Sequence, residues 1–203
     1  MIKPIGLTII MMTGLALASQ AQPGTLKRHS IVDEFIIDIY EPPGYSYENK
    51  YPIIYFNDGE SIFSSAFGLQ NILDSLIKSS IINPVVVVGI HASNNRTSKY
   101  VPYMDPWITS RWGPYLPNAR TYSTKILELI IPYVESRYLS SGKSDRALFG
   151  FSFGGLHALW AGLHFNSEYS FIGSLSPSLW VNDYRIIKER IPKMTETTVW
   201  LNI

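Results

Sequence analysis

The chain has 203 residues, 46% hydrophobic and 13% aromatic, which is enough for one domain with a substantial core and too little for two comfortable ones. A net charge of +1 gives no electrostatic case for binding nucleic acid. The absence of cysteine excludes disulfides, thiol catalysis and thiolate metal sites.

Lys3 followed by the apolar run Ile5 to Leu17 and by Ser19-Gln20-Ala21 has the make-up of a signal peptide over residues 1–21, with cleavage near Ala21. The run is short for a membrane span, and without cysteine there is no lipoprotein anchor. The expectation is an exported protein, periplasmic or secreted in a bacterium, with no stable membrane association once the signal is removed.

Residues 22–203 then read as alternating strands and helices. Strands are expected over Ile31 to Tyr40, Pro52 to Phe56, Val85 to Ile90, Arg146 to Phe149, Ser170 to Leu175 and Thr198 to Ile203. Helices are expected over Gln70 to Ser79, Thr124 to Tyr138 with a kink at Pro132, Gly154 to His164, and Tyr184 to Ile191 with Asp183 as its cap. His91 to Ala119 reads as one long loop. The alternation predicts a mostly parallel sheet with helices on both faces, whose site lies beyond the carboxyl ends of the strands.

Gly150-Phe151-Ser152-Phe153-Gly154-Gly155 stands between the apolar run Ala147-Leu148-Phe149 and a helical run, the setting in which G-x-S-x-G forms a nucleophile elbow. A side chain at 150 or 154 would collide with a neighbouring strand or helix, and the turn would lift the Ser152 hydroxyl above the sheet edge. The backbone N–H of Phe153 is then one oxyanion donor, and the loop after the Pro52 to Phe56 strand is the place for a second.

Several further segments complete a pattern: Tyr40-Glu-Pro-Pro-Gly-Tyr45, Tyr51 to Gly59, Arg96 with Tyr100-Val-Pro102, Ile131 to Tyr138, and Ser176-Pro-Ser-Leu-Trp180. In this order and spacing the chain resembles the putative esterase family of α/β-hydrolases, which includes enterochelin, feruloyl and acetylxylan esterases, S-formylglutathione hydrolase and the mycolyltransferases. The resemblance covers roughly residues 28 to 203. It implies the α/β-hydrolase fold, a serine hydrolase working by acyl transfer with Ser152 as nucleophile, and a second oxyanion donor at Glu60 beside Gly59. It also implies a late histidine and an acid past the strand that ends at Ile203, so the domain is expected to be incomplete at its C-terminus, without its last strand or strands and helix, and impaired. Many members carry a glutamate where this chain has Lys99.

Arg96, Trp112 and Trp180 are the expected substrate-facing residues. Trp107, Trp112, Tyr115 and Trp180 either stack on a sugar or phenolic acyl group or cover the core. His157 is expected to be structural; His91, at the carboxyl end of a core strand, is the resident histidine that could face the pocket. Asp183 is the best resident candidate for a triad acid, though capping suits it better. No cofactor and no metal are expected, since the histidines are scattered. The expected partner is a small-molecule or saccharide ester. A non-catalytic ligand-binding protein and an acyltransferase on the same fold are the alternatives.

Overall fold

The computed structural model describes residues 22–32, 34–189 and 197–202; the signal-peptide reading of residues 1–21 lies outside them. The strands are β1 (Thr25–Ile31), β2 (Phe35–Glu41), β3 (Ile53–Asn57), β4 (Val86–Ile90), β5 (Arg146–Phe151), β6 (Phe171–Leu175) and β7 (Thr198–Asn202). The helices are α1 (Gly59–Ile62), α2 (Leu69–Lys78), α3 (Arg96–Tyr100), α4 (Pro106–Trp112), α5 (Ala119–Lys125), α6 (Ile131–Glu135), α7 (Phe153–His164) and α8 (Val181–Lys188).

The strands form one sheet in the order β1-β2-β4-β3-β5-β6-β7. β1 and β2 form an antiparallel hairpin, β2 runs antiparallel to β4, and β4 through β7 are parallel. Val86, Val88 and Ile90 face one side with Ile53, Tyr55 and Leu148, where α5, α6 and α7 cover them. Val85, Val87 and Phe56 face the other side with Ile62 of α1 and Leu73 of α2. Burial on both faces explains why these strands are apolar without alternation.

The chain passes from β3 outward to β4 and then returns across β3 to β5. The strand order therefore reverses between β3 and β5, and the crevice of an open α/β sheet opens at the carboxyl ends of such a pair. Those ends carry Asn57-Asp58-Gly59-Glu60 and Phe151-Ser152-Phe153.

Four sequence expectations need correction. The strand expected over Ile31 to Tyr40 starts only at Phe35, as β2, and Ile31 instead ends a separate strand, β1, that lies upstream. β1 is the exposed edge and reads TLKRHSI, so it offers no apolar period; it is fixed by cross-strand pairing, Arg28 lying opposite Asp38 and bonding its carboxylate at 2.7 and 2.9 Å. The loop expected over His91 to Ala119 contains α3 and α4, the latter capped by Asp105, whose side chain accepts from Ile108 N–H at 3.0 Å. The kink expected at Pro132 takes the form of a π-helical turn, Ile126–Ile130, between α5 and α6, so that the helix widens just before the residue that lacks an N–H. Asp183 does not cap a helix: α8 begins at Val181, and Asn182, Asp183 and Tyr184 inside it have positive φ (49°, 54° and 57°). Among the described residues no helix is long and apolar enough to cross a membrane.

Candidate active site

Ser152 occupies the turn between β5 and α7 with φ 57° and ψ −119°, a backbone conformation that a non-glycine residue holds only under tertiary constraint. That constraint is visible. Ser152 N–H donates to Leu175 O at 3.1 Å, and Ser152 O accepts from Leu156 N–H at 2.9 Å and Ser178 N–H at 3.2 Å. A Cβ at Gly150 would lie 2.1 Å from Gly154 O, so strand and helix can close this tightly only over glycine. A Cβ at Gly154 would lie 3.0 Å from Asp58 Oδ2, so the helix start is also pressed against the end of β3.

The β3 end is held just as closely. Asp58 has φ 60° and ψ 44°, and its backbone N–H donates to Tyr100 Oη at 3.0 Å. Its carboxylate takes Arg96 Nε at 2.6 Å and Nη2 at 2.7 Å, a bidentate pair. Burial works against the Arg96 charge, but the Asp58 hydrogen bonds and charge outweigh it and hold the guanidinium above its ordinary pKa. A Cβ at Gly59 would lie 2.3 Å from the carbonyl carbon of Gly89 on β4, so the loop rests on strand backbone. Glu60 and Phe153 fall in the first turns of α1 and α7, where helix geometry supplies no acceptor for their N–H groups.

A cavity of about 440 Å³ opens over Ser152, lined also by Arg96, Thr97, Trp112, Phe153, Ser178 and Trp180. The expected substrate-facing residues Arg96, Trp112 and Trp180 thus meet the serine in one space. Arg96 also belongs to the wall of a second cavity, about 340 Å³, lined by Asp58, Glu60, Phe67 and Phe151. Trp107 does not line the first cavity; it is exposed, its ring edge-on to Trp112 at 5.1 Å and to Trp180 at 5.0 Å. Tyr115 is core: it is buried, and its hydroxyl donates to Tyr103 O at 2.6 Å.

The sequence gives Ser178 no role, yet its hydroxyl lies 3.3 Å from Ser152 Oγ. The available signal was its place in Ser176-Pro-Ser-Leu-Trp180, two residues before the cavity tryptophan.

All four histidines are engaged away from Ser152. His157 is fully buried. Asn57 Nδ2 donates to its Nδ1 at 3.0 Å, which leaves Nε2–H to donate to Ser123 Oγ at 2.9 Å. Burial pushes its pKa down to about 3, so the ring is neutral. His91 does not face the cavity; its Nε2 lies 2.8 Å from Asp38 Oδ2 on the neighbouring strand. His164 Nδ1 bonds Trp160 O at 2.8 Å, and His29 Nδ1 lies 3.1 Å from Tyr133 Oη. Asp183 is exposed and paired with Lys188, with no imidazole to orient.

The family model described as Putative esterase matches residues 29–202. This chain belongs to that family. The chain is 29% identical over 144 residues to the uncharacterized protein YbbA of Bacillus subtilis, covering 70% of this chain and 56% of that one. Among solved structures it is similar to the siderophore hydrolase EstA of Aspergillus nidulans (TM-score 0.64, 22% identity, covering 92% of this chain and 65% of that one). It is also similar to a feruloyl esterase module of Clostridium thermocellum solved with sinapinate (TM-score 0.61, 20% identity, covering 89% and 66%). At such identity these structures establish the fold. The chain spans 56% of the length of that Bacillus subtilis relative.

Proposed function

We propose that this esterase-family chain is built to cleave carboxylic esters with Ser152 as nucleophile, through an acyl-enzyme. The observation that carries the reading is Ser152 itself: a serine at positive φ, between a parallel strand and a helix N-terminus, opening on a cavity at the point where strand order reverses. In this reading Ser152 Oγ attacks the carbonyl carbon as its proton leaves to a base. The oxyanion that forms is received by the N–H of Phe153 and the N–H of Glu60, each in the first turn of a helix. Collapse expels the alcohol and leaves the acyl group on Ser152; water then attacks that ester and frees the acid.

None of the four histidines is placed to take the Ser152 proton, so the acceptor in this reading is not one of them, and this chain by itself turns over slowly. The cavity wall of Trp112, Trp180 and Phe153 suits a planar phenolic ring or a sugar ring, with Arg96, its charge already paired with Asp58, beside it for a polar substituent. Residues 1–21 are read as a removable export signal, which places the esterase outside the cytoplasm.

Time-dependent labelling by a fluorophosphonate, located by peptide mass spectrometry, tests the assignment. Ser152 should carry the label and the Ser152→Ala variant should take none. Equal labelling of both, or none of the wild type, overturns it. The engagement of every histidine elsewhere favours a second reading, a ligand-binding protein on the same fold. Binding of a phenolic ester with no labelling of Ser152 would select it.

A further inference from the structure

We infer that Lys99 is a positioning residue for the oxyanion donor at Glu60, acting through Ala92; the inference rests on the esterase reading above. α1 has only four residues, too few to hold its own first turn, so the direction of the Glu60 N–H depends on what grips the loop from outside. α3 does so at several points. Arg96 takes the Asp58 carboxylate, and Tyr100 Oη accepts the Asp58 N–H. The third grip is indirect. Ala92 N–H donates to both Glu60 carboxylate oxygens, at 3.2 and 3.0 Å, while Ala92 O accepts from Lys99 Nζ at 2.7 Å. Residue 92 is thus pulled from both sides, by an anion on its N–H and a cation on its carbonyl.

This matters because Ala92 opens a turn that is not self-supporting. Ser93 (φ 51°) and Asn95 (φ 65°) sit in left-handed backbone conformations that side chains disfavour. Lys99 reaches the turn from one end of α3, its ammonium near the rings of Phe35 (5.9 Å) and Tyr122 (5.7 Å), so its path is fixed by packing. Ala92 is 1% exposed, which leaves its carbonyl little recourse to water if Lys99 is removed. Freed of Lys99, residue 92 loses its register, and Glu60 loses the anchor that sets the slant of its own N–H. A glutamate at 99, the residue many family members carry, could not donate to Ala92 O and would set a second carboxylate beside Glu60.

The test compares the wild type with Lys99→Met, Lys99→Glu, Lys99→Arg and Glu60→Ala, each assayed well below its unfolding temperature. Two quantities are read: the rate constant of Ser152 phosphonylation by a fluorophosphonate, whose P=O oxygen uses the same donors as a carbonyl, and the exchange rate of the residue 59–62 amides by mass spectrometry. Lys99→Met should slow phosphonylation about tenfold to a hundredfold, the scale on which small misplacements act. Lys99→Glu should be slower still, and Lys99→Arg, which keeps a donor, should recover most of the rate. Amide exchange over 59–62 should quicken in the same order. Glu60→Ala should be slow, and adding Lys99→Met to it should cost little more, because both break one chain of contacts. Phosphonylation of Lys99→Met and Lys99→Glu at the wild-type rate overturns the inference, whatever exchange does. A wild type that takes no label on Ser152 overturns the esterase reading, and the inference with it.

Discussion

Ser152 Oγ and Ser178 Oγ lie 3.3 Å apart, and Ser178 N–H also bonds Ser152 O at 3.2 Å, so the segment after β6 holds both the backbone and the hydroxyl of the elbow. The Ser178→Ala substitution keeps the backbone bond and removes the hydroxyl contact. It should lower the rate of Ser152 phosphonylation about fivefold, the worth of roughly 1 kcal/mol of a neutral hydrogen bond. The thermal midpoint should stay within about 2 °C of wild type. An unchanged labelling rate would show that Ser178 does not orient the hydroxyl.

Supplying a base from solution should raise turnover. If no histidine takes the Ser152 proton, added imidazole should accelerate hydrolysis of an activated aryl ester by the wild type well above its effect on Ser152→Ala, which reports imidazole's own catalysis. Identical imidazole dependence in the two proteins would contradict the role given to Ser152.

The Arg96–Asp58 pair should be worth more than an ordinary surface ion pair, because it is bidentate and its carboxylate is largely buried. The Arg96 side chain is 37% exposed, so solvent screening reduces the gain. Arg96→Met should cost about 1–2 kcal/mol in urea unfolding, and Arg96→Lys, which cannot bond both oxygens in the same plane, about half of that. A loss below about 0.3 kcal/mol for Arg96→Met would reduce the pair to an ordinary surface contact.

Gly150→Ala tests the elbow's geometry without touching its chemistry. The new methyl would sit 2.1 Å from Gly154 O, a backbone atom that cannot turn aside. The variant should lose about 3 kcal/mol or more or fail to fold. A near-normal unfolding midpoint would mean that β5 and α7 are further apart than described.

His157 should make the protein acid-labile. Its folded pKa is pushed to about 3 by burial while the unfolded value is near 6.5. The unfolded state therefore binds more protons between these values, and stability falls as pH is lowered through that window. The slope approaches about 1.4 kcal/mol per pH unit and flattens below pH ~3. Replacing His157 by Gln should flatten the dependence between pH 6 and 4 in urea unfolding, at the cost of some stability at pH 7. A wild type equally stable at pH 6.5 and 4.5 would contradict a buried neutral ring.

Much of the molecule is legible in one dimension because the relevant physics is local. The apolar runs at Ile53 to Phe56 and Val86 to Ile90 announce strands buried on both faces, and Gly150-Phe151-Ser152-Phe153-Gly154 announces a strand–helix turn that needs residues without side chains. Family membership follows from the order of such segments, and the model match over residues 29–202 agrees. The gathering of Arg96, Trp112 and Trp180 into one cavity with Ser152 depended on treating the long loops as neighbours beyond the strand ends.

Tertiary structure decided the rest, for a consistent reason: the deciding contacts join residues far apart in sequence and carry no periodicity. β1 is a strand because its polar residues pair across to β2, not because it is apolar. Arg96 is committed to Asp58, 38 positions away, and the Glu60 side chain, which an oxyanion role leaves unspecified, grips Ala92. His91, placed at a strand end by its sequence position, turns to Asp38 because the antiparallel β2 lies alongside β4 there. Composition and spacing determine which segments are buried and where a strained turn must fall. Only the packed chain determines which polar groups meet, because a hydrogen bond or ion pair depends on distances of a few ångströms between segments whose separation along the chain says nothing about it.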